Sequence, residues 1–459
     1  MYVLEMIMRQ TKFLMICICV LSIEIWESTA TKILYVLSDN STNPSCSYQL
    51  CAPLDQYLLD DGILPVVTNV EYHFSPGEHH IPANMVLQNL HNFSIVGIVS
   101  KASSPAVLVG CFHSHVLKIY TSRNVNIRNI MFKRCYNPQL QLTIYFTSLD
   151  ISQCFSCVIE NVTFENFGIV GKNLIGQSTL NEIYITHTTG QFCQGITLGY
   201  MDHDQLLTDE YHLLINKLYI TGIGNGSKCY NFNDHFIAGL RIYIGGHAKN
   251  ATVTISNSFF KGIHSTAIYV SSHCPTSKSI LSFHNCAFYS VVSINKPVVQ
   301  GLLSKYNNFI SFNNCTFKHN YAEYSVISIQ IQQQVGVLCR YISTNQHFAT
   351  LSSIYFRENQ FMFNSGTILT IRGDSSNRII LIIGPLSILH NKAVTEYPTY
   401  LTSIQNMDVH MYGPVIISYN GANKFSILLL VSSEITFYGA IILKYNFCDQ
   451  IISLNGNQP

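Results

Sequence analysis

Charge is what this chain has least of. Only 11% of its 459 residues are Asp, Glu, Lys or Arg, for a formal net charge of +1, whereas an ordinary soluble domain carries about 25%. No cluster of Lys or Arg stands out, so the electrostatic footprint of a nucleic-acid binder is missing and nucleic acid is not an expected partner. Long hydrophobic runs are missing as well. Past residue 30 the longest are strand-sized, such as residues 379–383 and 427–431, against the roughly 20 residues that a membrane-spanning helix requires. No transmembrane segment is therefore expected beyond the N-terminal region. Nor does any stretch after residue 62 show a helical period. Tryptophan occurs once, at Trp26, although aromatic residues make up 12% of the chain and 27 of them are Tyr.

What is present is apolar surface, with 47% hydrophobic residues. At this length the chain holds either two or three globular domains or one long solenoid, and low charge with high apolar content favours the solenoid. The N-terminus carries Arg9 and Lys12, an apolar run over residues 13–23, then Ser28, Thr29 and Ala30. This order predicts a secretory signal peptide over residues 1–30, with an uncleaved anchor as the other reading. Six Asn-x-Ser/Thr sequons, at Asn40, Asn92, Asn161, Asn225, Asn250 and Asn314, agree with that route. Of 15 cysteines, Cys17 and Cys19 fall in the signal, leaving an odd number for an oxidising compartment. Cys46 with Cys51 reads as a local disulfide. Cys154 and Cys157 have redox-motif spacing but no βαβ context, so a structural pair or inert thiols is the expectation.

Internal repetition organises the rest. Ile127, Asn129 and Phe132 recur 32 residues later as Ile159, Asn161 and Phe164; Asn257 with Phe260 recurs as Asn285 with Phe288 and as Asn314 with Phe317. In the C-terminal third, segments opening at Gly384, Gly413 and Gly439 close at Asn391, Asn420 and Asn446. Each copy alternates apolar and polar residues with period two and is rich in β-branched and aromatic types, the signature of a strand. A coil of some 26 to 32 residues cannot bury its inward face alone, so the copies must stack in parallel. The expected fold is all-β: a parallel β-helix over residues 71–459, preceded by a cap over residues 31–70. Within that cap Pro53, Leu54, Tyr57 and Leu58 predict a short helix over residues 53–61. Residues 190–250 and 321–350 break the rhythm and read as long loops or bulging coils.

The recurring Asn suits a sharp corner, because Asn tolerates left-handed backbone and its amide can bond the same amide one coil away. Asn129, Asn161, Asn257, Asn285 and Asn314 are the expected rungs of such a ladder. Asn161 and Asn314 are also sequons, which poses a choice: a buried ladder without glycan, or a glycan without a ladder. Asn40, Asn92, Asn225 and Asn250 are therefore the expected glycosylation sites.

Residues 74–79 (Phe-Ser-Pro-Gly-Glu-His) and 90–97, followed by Asn-rich coils, resemble animal proteins known only as right-handed β-helix region proteins, related in fold to pectin and pectate lyases. The resemblance spans roughly residues 33–459 as a pattern and implies a right-handed solenoid. It also says which enzyme sites to seek. The lyases' arginine motif is absent, Asp60 and Asp61 fall in the expected cap, and Gly262-Ile263-His264 is only a partial echo of the hydrolases' Gly-His-Gly. The sole acidic cluster, Asp202, Asp204 and Asp209 with His203 and His212, is a weak metal candidate that reads better as a solvated loop. His79 and His80 read as surface or turn residues. No cofactor is expected. The sequence therefore favours a secreted or cell-surface recognition module without enzyme activity, whose lateral face engages an extracellular glycan, a protein or another copy of itself. The alternative is a divergent polysaccharide lyase or glycoside hydrolase, which two carboxylates on adjacent parallel strands would favour.

Overall fold

A computed structural model of the chain describes residues 31–38, 51–57, 68–81, 86–99, 104–110, 115–134, 147–165, 169–172, 176–186, 195–200, 211–223, 238–244, 250–272, 278–294, 296–304, 308–332, 351–373, 379–393, 400–422, 426–448 and 450–455. They form 39 strands joined in one continuous sheet. Every pairing between these strands is parallel, and along most of the chain a strand bonds to its counterpart one coil before and one coil after. Asn250–Ser256, Lys278–His284, Asn308–Asn313, Ser353–Arg357, Ile379–Ile383, Met407–Met411 and Glu434–Phe437 make one such series. The architecture is a parallel β-helix.

The alternation read from sequence sets which side chains enter the interior. In Asn250–Ser256 the even beat, Ala251, Val253 and Ile255, is buried, while the residues between are half-exposed. Because the strands run in register, like residues stack. Ile255 lies over Phe283, Phe312, Phe356, Ile383 and Met411 in turn. Phe260, Phe288, Phe317 and Phe361 form a second interior stack with ring centroids 4.5–5.0 Å apart and planes within 5° of parallel. Centroid separations this close to the strand spacing of about 4.8 Å mean that the rings follow the backbone without tilting.

Three expectations change. Of the expected cap helix over residues 53–61, residues 58–61 lie outside the described residues, and no α-helix is seen in the rest: Cys51–Pro53 is a strand paired with the Lys32–Leu37 strand, and a four-residue 3-10 turn, Leu54–Tyr57, follows it. Pro53 is drawn into the sheet opposite Leu37, so a strand takes the position of the expected helix start. Leu54 is nonetheless buried, and the Tyr57 hydroxyl donates to the Tyr35 carbonyl at 3.0 Å, so the turn packs over the first coil. Coil length is also less uniform than expected. Corner-to-corner hydrogen bonds link residues 21 apart at Glu160 and Asn181 and 44 apart at Asn320 and Asn364. Finally, residues 190–250 are not wholly irregular, since Tyr211–Thr221 and Ala238–Ile244 are regular rungs of the sheet, whereas Tyr321–Gln332 joins the sheet with a bulge between Tyr321 and Ser325. The signal region, residues 1–30, lies outside the described residues, and among those described no helix is long and apolar enough to cross a membrane.

Candidate functional site

A β-helix bends at its corners, and here the corners are made by residues with positive φ. Such backbone is sterically costly for side chains other than Asn, Asp and Gly. These residues fall into columns. Asn129, Asn161, Glu182, Lys217, Asn257, Asn285, Asn314 and Glu358, with φ between 50° and 57°, occupy successive coils at one corner. Asn69, Asn92, Asn124 and Ser156 form a shorter column nearer the N-terminus.

The amides of the first column bond along the solenoid axis. Nδ2 of Asn161 donates to Oδ1 of Asn129 at 2.9 Å, Asn285 to Asn257 at 3.2 Å, and Asn314 to Asn285 at 2.8 Å. Lys217 and Glu182 substitute an ion pair for one rung, and the carboxylate beside it raises the lysine's pKa. The same chemistry recurs in the shorter column, where Asn124 donates to Asn92 and Asn92 to Asn69, each at 2.8 Å. Asn161, Asn257, Asn285 and Asn314 are exposed. The residue after each corner turns inward: Ser258, Cys286, Cys315 and Asn359 are buried, and Oδ1 of Asn359 accepts from the Cys315 backbone N–H at 2.9 Å. The Cys315 thiol and burial together push the Cys286 thiol well up, so it stays protonated.

A second corner is built differently. His319, Phe363, His390, Tyr419 and Tyr445, all with φ of 53–58°, stack on one another on the outside with centroids 4.8–5.2 Å apart and planes within 17° of parallel. Phe363, Tyr419 and Tyr445 are 45%, 52% and 75% exposed. Lys318 extends alongside, its Nζ 5.9 Å from the Phe363 ring centre. Each ring is followed by an Asn that points in. Asn320, Asn364, Asn391 and Asn420 are buried, and with Asn446 they form an inner ladder. Oδ1 of Asn391 accepts from both the backbone N–H and Nδ2 of Asn364 at 2.9 Å, while Nδ2 of Asn391 donates to the Phe361 carbonyl at 2.9 Å and to Oδ1 of Asn420 at 3.1 Å. Asn364 and Asn420 repeat this set. The buried bonds hold the corner open, and the rings are what it presents to solvent.

A third feature lies near the C-terminal end. Asp408 and Glu434 are register partners on adjacent strands, and His410 Nε2 lies 3.5 Å from Asp408 Oδ1. The rings of Tyr412 and Tyr438 stack at 4.5 Å beside them.

Other sequence expectations resolve as follows. Asn40, Asn225, Asp202, Asp204, Asp209 and Cys46 lie outside the described residues, so the Cys46–Cys51 pair and the acidic loop do too. Asn92 is exposed, and Asn250 opens a strand half-buried. Cys154 and Cys157 are joined by a disulfide. His79 is not a surface residue: it is fully buried, its Nε2 bonds the Ser75 carbonyl at 2.8 Å and its ring meets Phe74 edge-on. His80 is exposed. The choice between ladder and accessible sequon was a false one, because the amide ladder at Asn161 and Asn314 runs along the outer surface. Sequence reading passed over the aromatic column, although an aromatic–Asn doublet recurs at 319–320, 363–364, 390–391, 419–420 and 445–446. Among the described residues no three His, Cys, Asp or Glu side chains converge as a metal site.

No family model matches the chain, and no curated protein matches it by sequence. Solved structures similar to it include the Streptococcus pneumoniae surface protein and adhesin PfbA, at 11% identity and a TM-score of 0.38, with 84% of this chain and 90% of that one covered. The A-module of an Azotobacter vinelandii mannuronan C-5 epimerase aligns at 9% identity and TM-score 0.32, covering 85% and 91%. An exopolygalacturonase from Thermotoga maritima aligns at 9% and 0.21, covering 83% of each chain. These neighbours are right-handed parallel β-helix proteins of the pectin- and pectate-lyase-like fold. At such scores no residue role is carried from them.

Proposed function

We propose that this chain is a secreted or cell-surface right-handed β-helix that binds a linear glycan along its lateral face without transforming it. The supporting observation is the aromatic column. Five rings at about 4.8 Å a step make a strip roughly 20 Å long. Because the rings lie face to face, their solvent side is a row of edges: imidazole nitrogens, Tyr hydroxyls and ring C–H groups, with the Lys318 ammonium beside them. Such a row suits a ligand that repeats along one axis and offers alternating hydroxyl and C–H surface. Each contact is weak, and a polymer multiplies them by avidity. Left-handed backbone under Phe363, Tyr419 and Tyr445 is costly, and a compact Asn or Gly would relieve it. That these positions are aromatic instead fits selection for what they display.

The test is a glycan array probed with the purified protein and with a Tyr419→Ala, Tyr445→Ala double variant. Binding to an extended polysaccharide, reduced at least tenfold in the variant while its melting is retained, is the expected result. No binding to any polysaccharide would refute it.

One observation favours a second reading. Asp408 and Glu434 are carboxylates at paired positions on neighbouring parallel strands, the placement from which a glycosidase could draw its acid and base, with His410 beside Asp408. If the chain is a hydrolase or lyase, incubation with pectin, alginate or glycosaminoglycan will release new reducing ends or unsaturated products, and Asp408→Asn will abolish their release. The binding reading expects no product from either protein.

A further inference from the structure

We infer that Asn161 and Asn314, rungs of the outer ladder, are N-glycosylation sites, and that their glycans leave the ladder intact. This rests on the proposed passage of the chain through the secretory pathway.

Both residues open sequons, with Thr163 and Thr316 as the hydroxyl residues. Both are exposed, while the residues that follow them, Val162 and Cys315, are fully buried. Among the described residues the amide therefore stands at the crest of the corner, open on the solvent side. At that crest its Nδ2 already donates to the neighbouring coil, Asn161 to Asn129 at 2.9 Å and Asn314 to Asn285 at 2.8 Å.

The amide carries two hydrogens, and they are not equivalent. In a ladder generated by translation along the axis, each C=O points one way and the donated N–H points the other, as in a parallel strand. The donated hydrogen is thus the one trans to the amide oxygen. The second hydrogen is cis to oxygen and trans to Cβ, so it points away from the backbone into solvent. In glycosylation the amide nitrogen attacks the anomeric carbon of a lipid diphosphate-linked oligosaccharide. The N–C1 bond forms, the C1–O bond to phosphate breaks, the nitrogen loses one proton and the lipid diphosphate departs. The product is a secondary amide, which like a peptide strongly prefers the trans form. The sugar carbon then sits cis to oxygen, in the outward position, and the hydrogen that remains is the trans one. The hydrogen that the ladder uses is the one that glycosylation spares.

The geometry makes the two common ways of removing a glycan unequal. Endoglycosidase H leaves one sugar on an intact amide, whereas peptide:N-glycosidase F hydrolyses the amide to Asp, which has no donor and places a carboxylate against the next Oδ1.

The experiment uses the full chain secreted from cells that make only high-mannose glycans. Peptide mass spectrometry after amidase treatment in ¹⁸O water is expected to find Asn161 and Asn314 occupied in most molecules. The Endo H-treated protein is expected to melt with the untreated one, and the amidase-treated protein about 2 °C lower, given one lost hydrogen bond per site. Thr163→Ala with Thr316→Ala removes both glycans without touching a rung and should melt with the Endo H form. Glycans at Asn92 or Asn250 but none at Asn161 and Asn314 would overturn the inference while leaving the secretory reading standing. Absence of glycan everywhere would overturn both. Equal loss of stability after either enzyme, or after neither, would overturn the account of the ladder.

Discussion

The two Asn ladders use one side chain in opposite settings. In the outer ladder the amide is solvated, makes one bond to the next coil, and is replaced by Glu and Lys at two positions and by Glu again at 358. In the inner ladder every buried amide between Asn320 and Asn420 makes bonds up, down and to a backbone carbonyl, and no other residue type interrupts it. Water is the difference. An exposed amide that loses its partner regains solvent, whereas a buried one leaves donors and acceptors unsatisfied at about 1–3 kcal/mol each. The inner corner is therefore held by the chemistry of Asn and the outer by its backbone preference.

The sharpest way to break this contrast is Asn391→Ala. It strands the Asn364 backbone N–H and amide and the Phe361 carbonyl, and should cost about 3–5 kcal/mol, or prevent folding, in urea melts. A cost under about 1 kcal/mol would put the two ladders in one class.

Alkaline pH acts on the buried tyrosines of the core and not on the amides of either ladder. Burial, with the neighbouring Tyr57, pushes the Tyr72 hydroxyl up to about 12, and burial pushes Tyr211 further in the same direction. A phenol with a raised folded-state pKa holds its proton more tightly in the folded chain. Its contribution is complete below pH 10 and is lost as pH climbs from 10 through about 12. The expected loss is roughly 2 kcal/mol by pH 12 for Tyr72 alone, and Tyr72→Phe should flatten that part of the curve.

At the outer corner Asn285→Ala removes a solvated rung and forces Ala into left-handed backbone, for about 1 kcal/mol. Asn285→Gly keeps the backbone and loses only the rung, so it should be nearly neutral. If Gly is as damaging as Ala, the rung matters more than the corner. Smallest of all is Lys217→Gln: the ion pair with Glu182 is at the surface, and melting should stay within error of the parent at 0.5 M salt.

Much of this was legible before the structure. Asn257, Asn285 and Asn314 share their spacing with Phe260, Phe288 and Phe317, and two residue types repeating together at coil length require stacking in register. The closing Asn391, Asn420 and Asn446 were visible too, but not their burial, because sequence does not say on which side of a corner an amide turns. The rings before them were hidden by variety: His, Phe and Tyr share a shape and not a letter. The start of the expected cap helix was misplaced because Pro53 fits a helix start and a strand end equally, and only the pairing with Leu37 decides. The Asp408–Glu434 neighbours are separated by a whole coil, which local patterns do not bridge.

Neighbouring inner rungs are 27, 29 and 26 residues apart from Asn364 to Asn446, with amide bonds of 2.9, 3.1 and 3.0 Å, but Asn320 and Asn364 are separated by 44 and still bond at 2.9 Å. The extra chain is accommodated elsewhere in that coil and the rung does not register it. Length within a coil is thus decoupled from position along the axis, so new sequence enters this molecule as ornament hung on an unchanged scaffold. Excising residues 364–390 would join Phe363 to Asn391 and shorten the column by one storey without altering its pattern.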